Sequence, residues 1–116
     1  FVAANPRVRE DVGKAAVVRG PITYCAEEAD NGRDLHLCRL DPAGRGQVRV
    51  DMEDVLGFPL AALRVPAWRE VPSPPGDELY REYAPPALER MTLRLIPYFA
   101  WANRGEGEMR VWLRVR

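Results

Sequence analysis

The chain has 116 residues and balances 17 basic against 17 acidic side chains. That is enough length for one core, with no overall field to draw in a nucleic acid or an anionic membrane. No apolar run approaches the roughly 18 residues that a membrane-spanning helix needs, and the first residues lack the charged and apolar regions of a signal peptide. We therefore expect a soluble protein with no nucleic-acid or membrane partner, whose near-exclusive use of arginine (Lys14 is the only lysine) reflects a GC-rich genome more than a binding task.

The chain opens on strand-like Phe1-Val2-Ala3-Ala4 without an initiator methionine, which reads as a piece of a longer protein. Asn5-Pro6 breaks that strand, because proline removes a donor and pushes the preceding residue out of helical space. A short apolar run over 14–19 is interrupted by Gly20-Pro21 and resumes over 22–27, the pattern of a strand with a bulge or bend. Asp30-Asn31-Gly32-Arg33 predicts a tight two-residue hairpin. In that register Cys25 faces Cys38, and Glu27 faces His36. A strand over 35–40 follows, then a loop over 41–46 and a strand over 47–50 with Val48 and Val50 on one side. Residues 51–56 read as a single helical turn, and 60–65 as a strand ending at Pro66. Between 70 and 86 the chain holds Pro72, Pro74, Pro75, Pro85 and Pro86, too many for a helix interior or a central strand. This is a long loop, with Leu79, Tyr80 and Tyr83 available to pin it to the body.

The last stretch, 91–116, alternates with period two. Met91, Leu93, Leu95, Phe99 and Trp101 share one parity, and Met109, Val111, Leu113 and Val115 repeat it. A five-residue turn over 103–107 makes this a hairpin with Phe99 opposite Val111 and Tyr98 opposite Trp112. The reverse face then carries Ile96, Tyr98 and Trp112 among Arg94, Arg110 and Arg114, an apolar patch with a charged rim that we take as the candidate interface. Short strands, turn signals between them and almost no helical periodicity predict an all-β chain. The expected fold is one antiparallel β-sandwich over 1–116, jelly-roll-like, with minimal helix.

Few residues suggest chemistry. A directly opposed Cys25 and Cys38 would satisfy disulfide geometry, but free cysteine is among the most buried residue types, and we expect reduced core thiols. Two cysteines and His36 lack the ligand number and spacing of a zinc site. Ser73, the only serine, has no Gly-x-Ser-x-Gly around it, which excludes a serine hydrolase. The turns at Gly44-Arg45-Gly46 and Gly105-Glu106-Gly107 lack the remaining glycine of a nucleotide loop. The carboxylates at Glu27-Glu28 and at Asp51, Glu53 and Asp54 read as solvated strand ends or turns. Trp68, beside Pro66, is the one candidate sugar contact, by stacking.

Two motifs carry a resemblance. Arg19-Gly20-Pro21-Ile22-Thr23-Tyr24-Cys25 is one. The other is Ile96-Pro97-Tyr98-Phe99-Ala100-Trp101-Ala102-Asn103-Arg104-Gly105, with Met109-Arg110-Val111-Trp112. Both closely resemble the C-terminal region of bacterial β-L-arabinofuranosidases of glycoside hydrolase family 127. Asn5-Pro6 and the run from Glu10 to Lys14 fit the same region, while Phe99 stands where a second tyrosine is usual. The resemblance implies a parent with a large helical barrel that carries a zinc-bound cysteine nucleophile, followed by two sandwiches of which this chain is the last. It carries no catalytic or metal residue to this chain. Zinc and turnover, of the retaining arabinofuranosidase type, belong to the missing barrel. Implied partners are the chain's own catalytic barrel or a second subunit as a homodimer. A carbohydrate-binding module with exposed aromatics is the other reading, in a bacterial and most simply cytoplasmic setting.

Overall fold

The computed structural model describes residues 1–54, 57, 59–72 and 78–116. It is all-β with little helix, as the sequence predicts. Among the described residues ten strands form one large sheet, antiparallel except for a single parallel pair: β1 (Val2–Ala3), β2 (Lys14–Ala16), β3 (Val18–Arg19), β4 (Ile22–Glu27), β5 (Cys38–Leu40), β6 (Arg49–Asp54), β7 (Pro59–Val71), β8 (Ala87–Pro97), β9 (Met109–Arg110) and β10 (Leu113–Val115). The main path runs β1-β2-β10-β5-β7-β8-β4-β3, with β6 on β7 and β9 on β4. Since β3 continues β2 past Val17, and the Tyr24 amide donates to the Val17 carbonyl at 3.0 Å, the sheet curls back on itself. Tyr24, Ala26, Leu35, Leu40, Leu63, Val65, Leu93, Leu95 and Leu113 fill the enclosed core.

The long ribbon β7–β8 is the spine, paired from Leu63↔Leu95 out to Val71↔Ala87. Pro66 does not end β7. The far edge of β7 is taken by β6 up to Arg64 and by β5 from Ala67 onward, so Pro66 falls between two partners where no donor is required. Its carbonyl accepts from the Asp41 amide at 3.4 Å, and its ring lies so close to Gly44 that an added Cβ there would sit 2.8 Å from the Pro66 Cβ.

Several local expectations are overturned. Asn31-Gly32 does not turn a two-residue hairpin: Glu28–Asn31 is one turn of helix (α1), and Leu35–Leu37 is a 3-10 turn. The Asn31 side chain instead completes the edge of β8, accepting from the Arg94 amide at 2.8 Å and donating to the Arg94 carbonyl at 2.9 Å. A side-chain amide has taken the place of a strand residue. Cys25 therefore pairs with Ile96 and Cys38 with Arg69, and both thiols are free and buried. Glu27 sits opposite Met109 and bonds Arg104, while His36 lies exposed on the 3-10 turn, so the Glu27 to His36 contact is absent. Residues 51–54 are strand and not a helical turn, with 55 and 56 outside the described residues. Val50 is exposed while Val48 packs on the core.

The closing hairpin does not form either. Around Leu95 β8 is flanked by β7 and by β4, so a returning strand finds no place beside it there. Pro97 ends β8, Tyr98–Ala100 is a 3-10 turn, and the chain returns as β9 on β4 and β10 between β2 and β5.

Candidate functional site

The outer face of β4, β7 and β8 carries everything of functional interest. Its apolar part is a second, smaller cluster of Cys25, Leu60, Ala62, Ile96 and Ala100, with Met109 and Val111 packed against it. The chain's own segment 98–111 roofs the face that the sequence left open to a partner. The predicted interface is thereby dispersed. Ile96 is 0% exposed and belongs to the cluster, Trp112 is half-buried, and Tyr98 has Trp101 as its stacking neighbour, with centroids 6.4 Å apart, in place of Trp112.

The arginines of that set lie apart as well. Arg94 is largely buried, pairing with Asp30 at 2.7 Å and with Glu53. Arg110 bonds Glu108 at 2.6 Å, and Arg114 lies 3.5 Å from Glu70. Around Arg94 runs an ion-pair belt that sequence reasoning missed: Arg64 bonds Asp51 and Glu53 from β6, and Arg104 reaches Asp30 and Glu27 at 2.5 and 3.1 Å. Burial pushes the Asp30 carboxyl up, but hydrogen bonds and charge from Arg104 and Arg94 outweigh it and hold the group below its ordinary value. The one available signal was the shared parity of Arg64 on β7 and Arg94 on β8, which face the same side as Glu53.

What remains exposed is aromatic. Tyr98, Phe99 and Trp101 are 46%, 62% and 41% exposed on one tight turn. That turn is held from beneath, where the Asn103 amide donates to the Ala100 and Trp101 carbonyls and Arg104 is tied to the acidic pair. A shallow cleft beside it is lined by Glu27, Trp101, Ala102 and residues 105–107. Leu79, Tyr80 and Tyr83 do not pin the proline-rich loop, for each is more than four-fifths exposed.

Trp68, the candidate sugar contact, is half-buried and shares its ring with two arginines, the guanidinium of Arg90 lying 4.4 Å from the centroid and that of Arg116 4.1 Å from it. Both thiols are poor nucleophiles. Burial, assisted by the nearby Glu27 charge, pushes Cys25 up to about 12, and burial raises Cys38 against the opposing pull of Arg69. Among the described residues no three His, Cys, Asp or Glu side chains converge to hold a metal, and no helix is long and apolar enough to cross a membrane.

The chain is a small all-β domain with two buried free cysteines and several of its carboxylates paired with arginines. More particularly, residues 1–114 match the glycoside hydrolase family 127 C-terminal domain, and the chain belongs to that family. It is 45% identical over 117 residues to a non-reducing end β-L-arabinofuranosidase of Bifidobacterium longum subsp. longum, covering 98% of this chain and 18% of that protein. Among solved structures it resembles a family 127 β-L-arabinofuranosidase from Geobacillus stearothermophilus T6, with TM-score 0.88, 40% identity, and coverage of 99% of this chain and 18% of that one. It also resembles a family 127 β-arabinofuranosidase with TM-score 0.77, 35% identity, and coverage of 98% and 16%. The chain thus spans less than a fifth of the length of these relatives.

Proposed function

We propose that this chain is a non-catalytic docking domain of a glycoside hydrolase, seated on the remainder of its own polypeptide through Tyr98, Phe99 and Trp101. The observation that carries this is the exposed aromatic turn, tethered through Asn103 and Arg104. Aromatic side chains anchor interfaces at low entropic cost, and here the Arg104 ion pairs hold them in place before any partner arrives. The relatives are several times longer, so a surface of their own is at hand to receive it. In this reading the parent is a bacterial, retaining arabinofuranosidase-like enzyme, with zinc and nucleophile in its barrel and this chain as a single domain of 1–116. A cytoplasmic setting is part of this reading.

The same turn in a second copy would give a homodimer. The cleft beside Trp101, with Glu27 and Glu106 in or at its wall, supports a second reading in which a neutral sugar stacks on the indole. The test is reconstitution in trans between the chain and a parent lacking it. Trp101→Ala is expected to weaken association by about 2 kcal/mol or more, as hot-spot tryptophans do, with the melting temperature of the chain unchanged. The chain alone should neither cleave aryl arabinofuranosides nor retain zinc. Absence of association, or association indifferent to Trp101, overturns docking. Saturable quenching of Trp101 by arabino-oligosaccharides supports the sugar reading in its place.

A further inference from the structure

Farther along the same face lies a cleft of about 620 Å³, lined on β6, β7 and β8 by Arg49, Arg64, Arg90, Thr92, Pro66 and the preceding Gln47. Its charges are unevenly spent. Arg49 stands directly opposite Arg64, an arrangement of like charges that costs stability unless something neutral or negative intervenes. Arg64 has Asp51 and Glu53, but among the described residues neither Arg49 nor Arg90 makes an ion pair.

Arg90 is nonetheless oriented. Its guanidinium carbon lies 4.4 Å from the Trp68 ring centroid and that of Arg116 lies 4.1 Å from it, so two cations share one indole. Stacking consumes the face of a guanidinium and leaves its in-plane N–H fork free, the geometry that receives a carboxylate bidentately.

We propose that this cleft binds a sugar that carries a carboxylate, a uronate residue, with the carboxylate between Arg90 and Arg49. The size of the cleft suits one or two sugar rings. Pro66 offers an apolar surface to the C–H face of a ring, and the Thr92 hydroxyl and Gln47 amide offer partners to its hydroxyls. Arg64, on the central strand of the three, is paired to β6 and to β8, while Arg49 and Arg90 lie on strands that pair with β7 there. The idea rests on family membership among glycoside hydrolases and is independent of the docking turn, whose residues lie outside this cleft.

The experiment titrates the chain with digalacturonate, its uncharged methyl ester and hexaglutamate, following NMR shifts of the β6–β8 amides. Saturable binding of digalacturonate is expected, weakened at least tenfold in the ester, in Arg49→Gln and in Arg90→Gln, and falling with added salt. Melting temperatures no lower than that of wild type certify the variants, while the ester decides on wild type alone. No saturable binding at millimolar digalacturonate overturns the proposal. So does equal binding of the ester, or tighter binding of hexaglutamate, which would make the cleft a peptide site.

Discussion

Neither Ile96 nor Trp112 takes the exposed place that simple alternation assigns it. Ile96 is fully enclosed by the cluster with Cys25, Leu60, Ala62 and Ala100, so Ile96→Ala leaves a cavity that small neighbours cannot fill. A loss of about 3 kcal/mol is expected in urea unfolding, and a value below about 1 kcal/mol would mean that the segment 98–111 does not roof this face. Period-two reasoning presumes one wet face per strand. Leu95, Ile96 and Pro97 are consecutively buried because β8 is covered on both sides at that end. Nothing local to Ile96 announces that a segment beginning two residues later folds back over it.

At the scale of elements, the ion-pair belt joins what hydrogen-bonded pairing leaves separate. Asp30 follows β4 on α1, Arg94 lies on β8, Glu53 on β6, Arg64 on β7, and Arg104 on the aromatic turn. The Asp30 carboxyl is held below its ordinary 3.8. Glu108 is held below 4.5, where bonds from Arg110 and the Leu35 amide outweigh the upward push of burial. A group with a depressed folded pKa adds stability that is fully present above its unfolded value and is lost as pH falls through the folded one. The melting temperature should therefore be flat from neutrality down to about pH 5 and fall below about pH 4. Asp30→Asn should cost about 2 kcal/mol at pH 7, the low side for a broken buried pair because Asp30 keeps some solvent, and should blunt the acid limb. An acid limb identical to that of wild type would remove Asp30 from the linkage.

The sequence made the elements themselves partly legible. β4, the strand after Gly20-Pro21, the long proline-rich connection and the scarcity of helix follow from proline, glycine and β-branched residues acting locally. Pairing does not. Asn31-Gly32 has the composition of a tight turn, but Gly32 caps a helical turn and Asn31 spends its amide on β8, 63 residues away in sequence. Arg94 and Asp30 could not be matched for the same reason, since ion pairs across strands are visible only once register is known. Family motifs did better than either, because Ile96 to Gly105 identify the domain without any knowledge of which strands it pairs.

Over the whole molecule, closure depends on the final residues. β10 lies between β2, antiparallel, and β5, parallel, so among the described residues it is the strand that joins the N-terminal edge to the β5–β7–β8 body on that side. Leu113 is almost fully buried in the main core, the Val115 amide bonds Gly13 at 3.1 Å, and the Arg116 amide bonds Leu40 at 3.0 Å. Removing residues 109–116 would strip a partner from β2, β4 and β5 at once, expose unpaired backbone along each, and empty the Leu113 position. A domain of this size has only about 5 to 15 kcal/mol in hand. Leu113→Ala alone should consume about 3 kcal/mol of it, and the truncation should abolish the cooperative transition. Replacing Leu79, Tyr80 and Tyr83 with serine changes three large side chains yet should leave the melting temperature within about 1 °C, because exposed positions contribute little to folding. Calorimetry on the three variants tests the contrast. If the truncated chain still melts cooperatively near the wild-type midpoint, the curled sheet is held by β7, β8 and β4 alone and β10 is an appendage to it.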